Sequence, residues 1–162
     1  NIKDIRKETN IPLLKTNRGG QITYHGPGQR IIYLLIDLEK RRKDIRKFVN
    51  LIENSVIKFL NEFNIESRTF ENRVGIWVTK NKGVKLEKEQ KIGAIGLRIK
   101  KWVTYHGLSF NINPDLNYYK NINACGLKEY SSTSMKNLGI NISVNEFDEL
   151  FLKFFLSGLK DL

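Results

Sequence analysis

The feature that most restricts what this chain can fold into is a change of hydrophobic period at Asp44. Beyond it Ile45, Phe48, Val49, Ile52, Val56, Phe59, Leu60 and Phe63 recur at three- and four-residue intervals, the spacing that gathers apolar side chains on one stripe of a helix. An amphipathic helix of about five turns is expected there. The stripe demands an apolar partner, and the flanking sequence supplies strand-like runs. Residues 31–38 and 74–79 read as strands. Residues 91–99 and 102–112 read as two more, joined at Lys100-Lys101 into a hairpin. Residues 81–90 read as a charged, exposed connection with a turn at Gly83. Near the end Ser143 and Glu146 match a capping box, and Phe147, Leu150, Phe151 and Phe154 give the following helix its own apolar stripe. Strands clustered between two long helices, without strand–helix alternation, predict an α+β fold with a largely antiparallel sheet and helices on one face.

Between these elements lie two stretches without a period. Residues 18–29 hold four of the twelve glycines, and turns belong there. Residues 113–138 should form a long ordered loop containing Cys125, and loops of that length inside one domain usually carry function. A chain of 162 residues with 40% hydrophobic composition has the size of one domain with a real core. No apolar run approaches the roughly 18–20 residues that span a bilayer, so no membrane segment is expected.

Lys and Arg exceed Asp and Glu by 28 − 17, a net charge of +11. Such a surface favours an acidic partner by steering encounter, without naming it. Nucleic acid, an anionic membrane surface and an acidic carrier protein would each fit the charge, but no nucleic-acid-binding motif with interleaved aromatics is found, and no membrane partner is expected. With a single cysteine, Cys125, no intrachain disulfide can form. On composition alone a lone cysteine is more often a small buried hydrophobe than a nucleophile. Two histidines and one cysteine, without H-E-x-x-H or paired C-x-x-C, argue against a metal site. No metal and no cofactor are expected.

Three segments carry candidate chemistry. Arg18, Gly19, Gly20, Gln21, Ile22, Thr23, Tyr24 and His25, followed by Gly26-Pro27-Gly28-Gln29, can bring backbone and donors close to a ligand. A structural turn with a satisfied histidine fits that spacing equally, and neither phosphate-binding glycine pattern is present. Lys91 opens the apolar run Ile92-Gly93-Ala94-Ile95-Gly96, which sets it at the edge of a buried strand. A partly buried lysine there can pair with an anion and exchange a proton, although a solvated lysine at a strand end fits too. Thr104-Tyr105-His106-Gly107-Leu108-Ser109-Phe110-Asn111 supplies the other histidine beside small residues that admit a ligand.

Taken in order, Arg18-Gly19-Gly20, Thr23 to Gln29, Lys91 with Ala94-Ile95-Gly96, Thr104 with His106-Gly107, Asn111, Asp115-Leu116 and Cys125-Gly126 resemble the lipoyl(octanoyl) transferase family of the biotin and lipoate protein ligase superfamily. The match runs from Arg18 through Leu127, with the cysteine 125 − 91 = 34 positions after the lysine. The resemblance implies a ligase-like sheet-and-helix fold and transfer of an octanoyl group from octanoyl-acyl carrier protein to a lysine of a lipoyl domain. Acceptors would be the lipoyl domains of 2-oxoacid dehydrogenase complexes and the glycine cleavage H protein. It further implies that Cys125 forms the acyl-thioester, that Lys91 lowers its pKa, and that residues 18–25, Ala94, Ile95 and Gly96, and Gly107, Leu108 and Ser109 line the acyl pocket.

An ATP-dependent lipoate or biotin protein ligase shares the fold but needs no cysteine, so the Cys125-Gly126 element favours the transferase. Two departures from the family stand out. Ala124 replaces the usual proline before the cysteine. Only seventeen residues precede Arg18, so residues 1–162 are expected to be one catalytic domain lacking the family's N-terminal segment. A monomer in the bacterial cytoplasm is expected, an organelle being the other setting left open.

Overall fold

Asp44 accepts a hydrogen bond from the Lys47 N–H at 3.0 Å, satisfying one of the donors that a helix start leaves unpaired. Helix α1 accordingly runs Ile45–Asn61. The computed structural model describes Ile5 and residues 10–71, 73–122 and 130–162. Strand β1 (Gln29–Tyr33) precedes α1. Strands β2 (Ile65–Phe70), β3 (Arg73–Asn81), β4 (Val84–Lys100) and β5 (Val103–Asn111) follow it, and helix α2 (Val144–Leu159) comes last. The five strands form one sheet in the order β1-β5-β4-β3-β2, every neighbouring pair antiparallel.

Both helices pack on one face of this sheet. The stripe of α1 buries Phe48, Ile52, Val56, Phe59 and Leu60, and α2 buries Phe147, Phe151 and Phe155. Phe59 of α1, Phe110 of β5 and Phe147 of α2 meet with ring centroids 4.6–5.4 Å apart, tying three elements at one point. Truncating any one of them to alanine should cost about 3–5 kcal/mol. Helix α2 is fixed at its start by the reciprocal capping box of Ser143 and Glu146.

Strand alternation puts Phe110 and Leu108 on the helix side. Gly107, Ser109 and Asn111 then point to the opposite face. Across the strands Ser109 lies against Ala94 and Ile31, and Gly107 against Gly96 and Tyr33. Small residues on adjacent strands leave that face concave.

The structure departs from the sequence reading at five places. Residues 84–90 belong to β4, because the tight turn Lys82-Gly83, both at positive φ, returns the chain as a hairpin with Asn81 opposite Val84. Their alternating charges stay in solvent while the backbone pairs, so charge masked the strand. The β4–β5 turn falls at Lys101-Trp102, both at positive φ, one residue later than expected. Strand β2 carries too few apolar residues, IESRTF, to announce itself. The first strand stops at Tyr33. Beyond it the Thr104 hydroxyl donates to the Leu34 carbonyl at 2.7 Å and accepts from the Ile36 N–H at 3.0 Å, which makes the ladder irregular while the Leu34 N–H still donates to the His106 carbonyl and the Thr104 N–H to the Ile36 carbonyl. Residues 113–138 are not all loop, since Leu116–Asn121 and Lys136–Leu138 form 3-10 turns. Cys125 lies outside the described residues.

Among the described residues no helix is long and apolar enough to cross a membrane.

Candidate active site

Register sets the site. Ile76 pairs with Gly93 but Trp77 with Lys91, so β4 carries one extra residue, Ile92, which turns into the core at 0% exposure. Such a bulge shifts the alternation by one. Without it Lys91 would share a face with Gly93 and Ile95. With it Lys91 joins Ala94 and Gly96 on the concave face, at the head of a cavity of about 360 Å³, within the usual range for small-molecule sites. Ile22, Ile31 and Val74 give the cavity apolar walls.

Lys91 is 7% exposed, in the interior of the 17-residue β4. The expectation of a strand edge is corrected, since the strand starts seven residues earlier. A buried ammonium needs partners. The Lys91 Nζ donates to the Val74 carbonyl at 2.7 Å and lies 5.6 Å from the Trp77 ring centroid. Gly75, at φ +118°, makes room for it: a Cβ there would lie 2.5 Å from Lys91 Cε and 3.0 Å from Nζ. The Lys91 backbone is engaged as well. Its N–H donates to the Ser131 carbonyl at 2.9 Å, and the Thr133 N–H donates to its carbonyl at 2.8 Å, so the chain at Ser132 runs parallel to β4.

A polar network joins the glycine-rich segment to this point. Gln29 Nε2 lies within bonding distance of the Tyr24 carbonyl, Asn111 Oδ1 and the Tyr119 hydroxyl, and Gln29 Oε1 faces His25 Nδ1 at 3.0 Å. Asn111, 4% exposed, donates its amide to the Thr133 carbonyl at 2.9 Å. Thr133 in turn bonds Lys91. At the other end of the segment Arg18 donates to the carbonyls of Gly19 at 2.9 Å and Gln21 at 2.6 Å, fixing the loop over Gly96.

Arg73 borders the same cavity. Its guanidinium carbon lies over the rings of Phe70 at 3.7 Å, Tyr130 at 4.2 Å and Trp77 at 4.7 Å from the ring centroids, and the guanidinium pairs with Glu89 at 3.2 Å. Backbone hydrogen bonding at Glu89, with Arg73 adding to it, holds the Glu89 carboxyl below its usual range. Arg73 Nη1 is buried without a hydrogen-bond partner. Leaving such a donor unmatched costs about 1–3 kcal/mol.

Of the residues expected from sequence, Arg18, Gly20, Gln21, Ile22, Thr23, His25, Lys91, Ala94, Ile95, Gly96, Gly107, Leu108 and Ser109 all border this one cavity. Two stand behind its wall. Gly19 packs against the β4 backbone, where a Cβ would come 2.7 Å from the Leu97 carbonyl oxygen. Tyr24 is buried, stacked on Tyr118 at 4.8 Å and edge-on to Tyr119 at 5.6 Å. Burial first, with Tyr118 and Asp115 nearby, raises its hydroxyl pKa. Cys125 is not among the described residues, so no distance relates it to Lys91. Sequence reasoning assigned no role to Arg73, Tyr119, Thr133 or Asn111. Only Asn111 lay within a recognised motif, and nothing in a lone Arg-Val-Gly marks Arg73.

The helix-backed antiparallel sheet is a fold that this chain shares with biotin and lipoate protein ligases. The chain matches the biotin protein ligase from Aquifex aeolicus with a TM-score of 0.58 at 12% identity, covering 83% of this chain and 54% of that one. It matches the bipartite lipoate protein ligase from Thermoplasma acidophilum with a TM-score of 0.62 at 14% identity, covering 89% and 56%. It thus spans little more than half the length of those ligases, and the likeness is one of fold. The lipoyl protein ligase A/B catalytic domain model matches residues 2–156, and the chain belongs to that family. Among its relatives are the octanoyltransferase of Wolbachia pipientis subsp. Culex pipiens (strain wPip), 49% identical over 146 residues that cover 90% of this chain and 69% of the relative. The octanoyltransferase of Ehrlichia canis (strain Jake) is 45% identical over 155 residues, covering 95% and 70%.

Proposed function

We infer that this chain is an octanoyltransferase of lipoate biosynthesis, using Cys125 as nucleophile and Lys91 as its activating partner. Octanoyl transfer is the activity for which its relatives at 45–49% identity are named. The observation that carries the residue assignment is the burial of Lys91 at the head of an apolar-walled cavity, with the chain that follows the Cys125 segment bonded to its backbone at Ser131 and Thr133.

The chemistry follows from these groups. A thiol with an ordinary pKa of about 8.5 is mostly protonated at neutral pH, and an ammonium beside it favours the thiolate. The Cys125 thiolate attacks the carrier's thioester carbonyl, and the tetrahedral intermediate collapses by breaking the bond to the carrier sulfur. The carrier leaves as a thiol with a proton from Lys91. The ε-amine of an acceptor lysine then attacks the enzyme thioester, the amide forms, and Cys125 departs as thiolate. Lys91 takes up the amine's surplus proton. One thioester replaces another in the first half, and conversion of thioester to amide drives the second.

The octanoyl chain would lie on the floor formed by Ala94, Gly96, Gly107 and Ser109, under the loop of residues 18–25. The donor is octanoyl-acyl carrier protein. The acceptors are lipoyl domains of 2-oxoacid dehydrogenase complexes and the glycine cleavage H protein. Acidic carriers suit a chain of net charge +11, which steers encounter. We place the reaction in the bacterial cytoplasm, with the chain acting as a monomer and residues 1–162 as one catalytic domain.

Intact-mass measurement after mixing with octanoyl-acyl carrier protein tests this reading. The wild-type chain should gain one octanoyl group, and Cys125→Ser should gain none and lose transfer. A serine variant with near wild-type turnover would remove Cys125 as nucleophile.

A further inference from the structure

We propose that Arg73 is a positioning residue for acyl transfer, a role that rests on the octanoyltransferase reading: its guanidinium clamps Tyr130 against Trp77 and thereby holds residues 130–133 onto β4 at Lys91. Four observations converge. Arg73 is planar and nearly dry, its side chain 10% exposed. It contacts three aromatic rings that belong to different parts of the fold, Phe70 of β2, Trp77 of β3 and Tyr130 beyond the sheet. Tyr130 also meets Trp77 edge-on at 5.3 Å. The residues directly after Tyr130 bond both the N–H and the carbonyl of Lys91.

Trp77 closes the arrangement from the sheet side. It sits opposite Lys91 in register, its indole N–H donates to the Arg73 carbonyl at 3.2 Å, and its ring lies beneath both cations. The far end of residues 130–133 is tied by the Asn111 amide on the Thr133 carbonyl and by the two backbone bonds to Lys91, so its near end depends on how Tyr130 is held. A flat cation lying over the Tyr130 ring supplies that hold, which an ammonium cannot reproduce. The retention of a buried, unmatched Nη1 fits a side chain held for its plane. Because a displacement of about 1 Å near reacting groups can slow a reaction by roughly 100-fold, loosening this clamp should register in turnover.

The test compares Arg73→Met, Arg73→Lys, Tyr130→Leu and the Arg73→Met/Tyr130→Leu double variant with the wild-type chain. Steady-state octanoyl transfer and hydrogen exchange at the Thr133 amide are both measured. Each single variant should lower kcat by roughly 10- to 100-fold with KM within about twofold. Lysine should fail to rescue, since charge without the plane does not clamp. Thr133 should exchange faster in every variant, and the double variant should be no slower in turnover than its worse single, as residues acting in one unit are not additive. Unchanged Thr133 exchange, full rescue by lysine, or multiplying single effects would each overturn the proposal. Wild-type chain that transfers no octanoyl group, combined with faster Thr133 exchange in the variants, would overturn the transferase reading and support the clamp.

Discussion

Asn111 and Thr133 are joined at 2.9 Å by a bond from the Asn111 amide to the Thr133 carbonyl, and Thr133 passes the connection to Lys91 through its own N–H at 2.8 Å. Both residues are buried. Asn111→Asp replaces the donor with an acceptor facing another acceptor, leaving the Thr133 carbonyl unsatisfied. We expect a loss of about 1–3 kcal/mol in stability, read by urea unfolding, and a fall in transfer at temperatures where the variant is still folded. Unaltered stability would show that the network does not hold this end of the cavity.

Ser109 forms part of the floor between Ala94 and Ile31. Ser109→Leu adds bulk where the acyl chain is proposed to lie. Transfer from octanoyl-acyl carrier protein should drop at least tenfold in kcat/KM, while transfer from a butyryl donor should drop much less. Equal losses for both donors would move the acyl chain elsewhere.

Lys91 combines two roles that substitution can separate. Lys91→Met should slow alkylation of Cys125 by iodoacetamide at neutral pH, because an opposite charge within about 4–6 Å lowers a thiol pKa by a unit or more. Lys91→Arg should partly restore alkylation yet leave turnover low, since a guanidinium does not give up its proton. Identical alkylation profiles for all three chains would make Lys91 a spectator.

Gly75 offers a second route to the same group. At φ +118° and with no space for a Cβ beside Lys91, Gly75→Ala should both destabilise the fold and displace the ammonium. Turnover should fall at least tenfold in the variant at temperatures well below its midpoint. Retained turnover would mean that the ammonium tolerates displacement.

Glu53 on α1 is partly buried, and desolvation raises its carboxyl pKa. A carboxyl whose folded pKa lies above its unfolded value binds its proton more tightly in the native state, so its contribution to stability falls as pH rises from the unfolded pKa through the folded one. Glu53→Gln should therefore raise Tm at pH about 7, and the difference should shrink as pH drops below the ordinary carboxylate range. A constant difference across pH would assign the effect to packing.

The two helices were readable from sequence because a 3.6-residue stripe is a local pattern, and the Ser143/Glu146 capping box marks its own start. The glycine-rich segment, Lys91 and the small residues of β4 and β5 were likewise visible as motifs. Strand β2 and the first half of β4 were not, because their pairing is a backbone matter that their charged side chains conceal. Which face Lys91 occupies also escaped the sequence. Plain alternation sends it toward Gly93 and Ile95, and only the bulge at Ile92, created by the β3 register, turns it to the side of Ala94 and Gly96. The aromatic grip on Arg73 draws on residues 70, 77 and 130, separated along the chain and adjacent only after folding. Sequence by itself determined the family, the helices and the residue types available for chemistry. Tertiary structure decided their register and burial, since those depend on contacts between segments that no local pattern encodes.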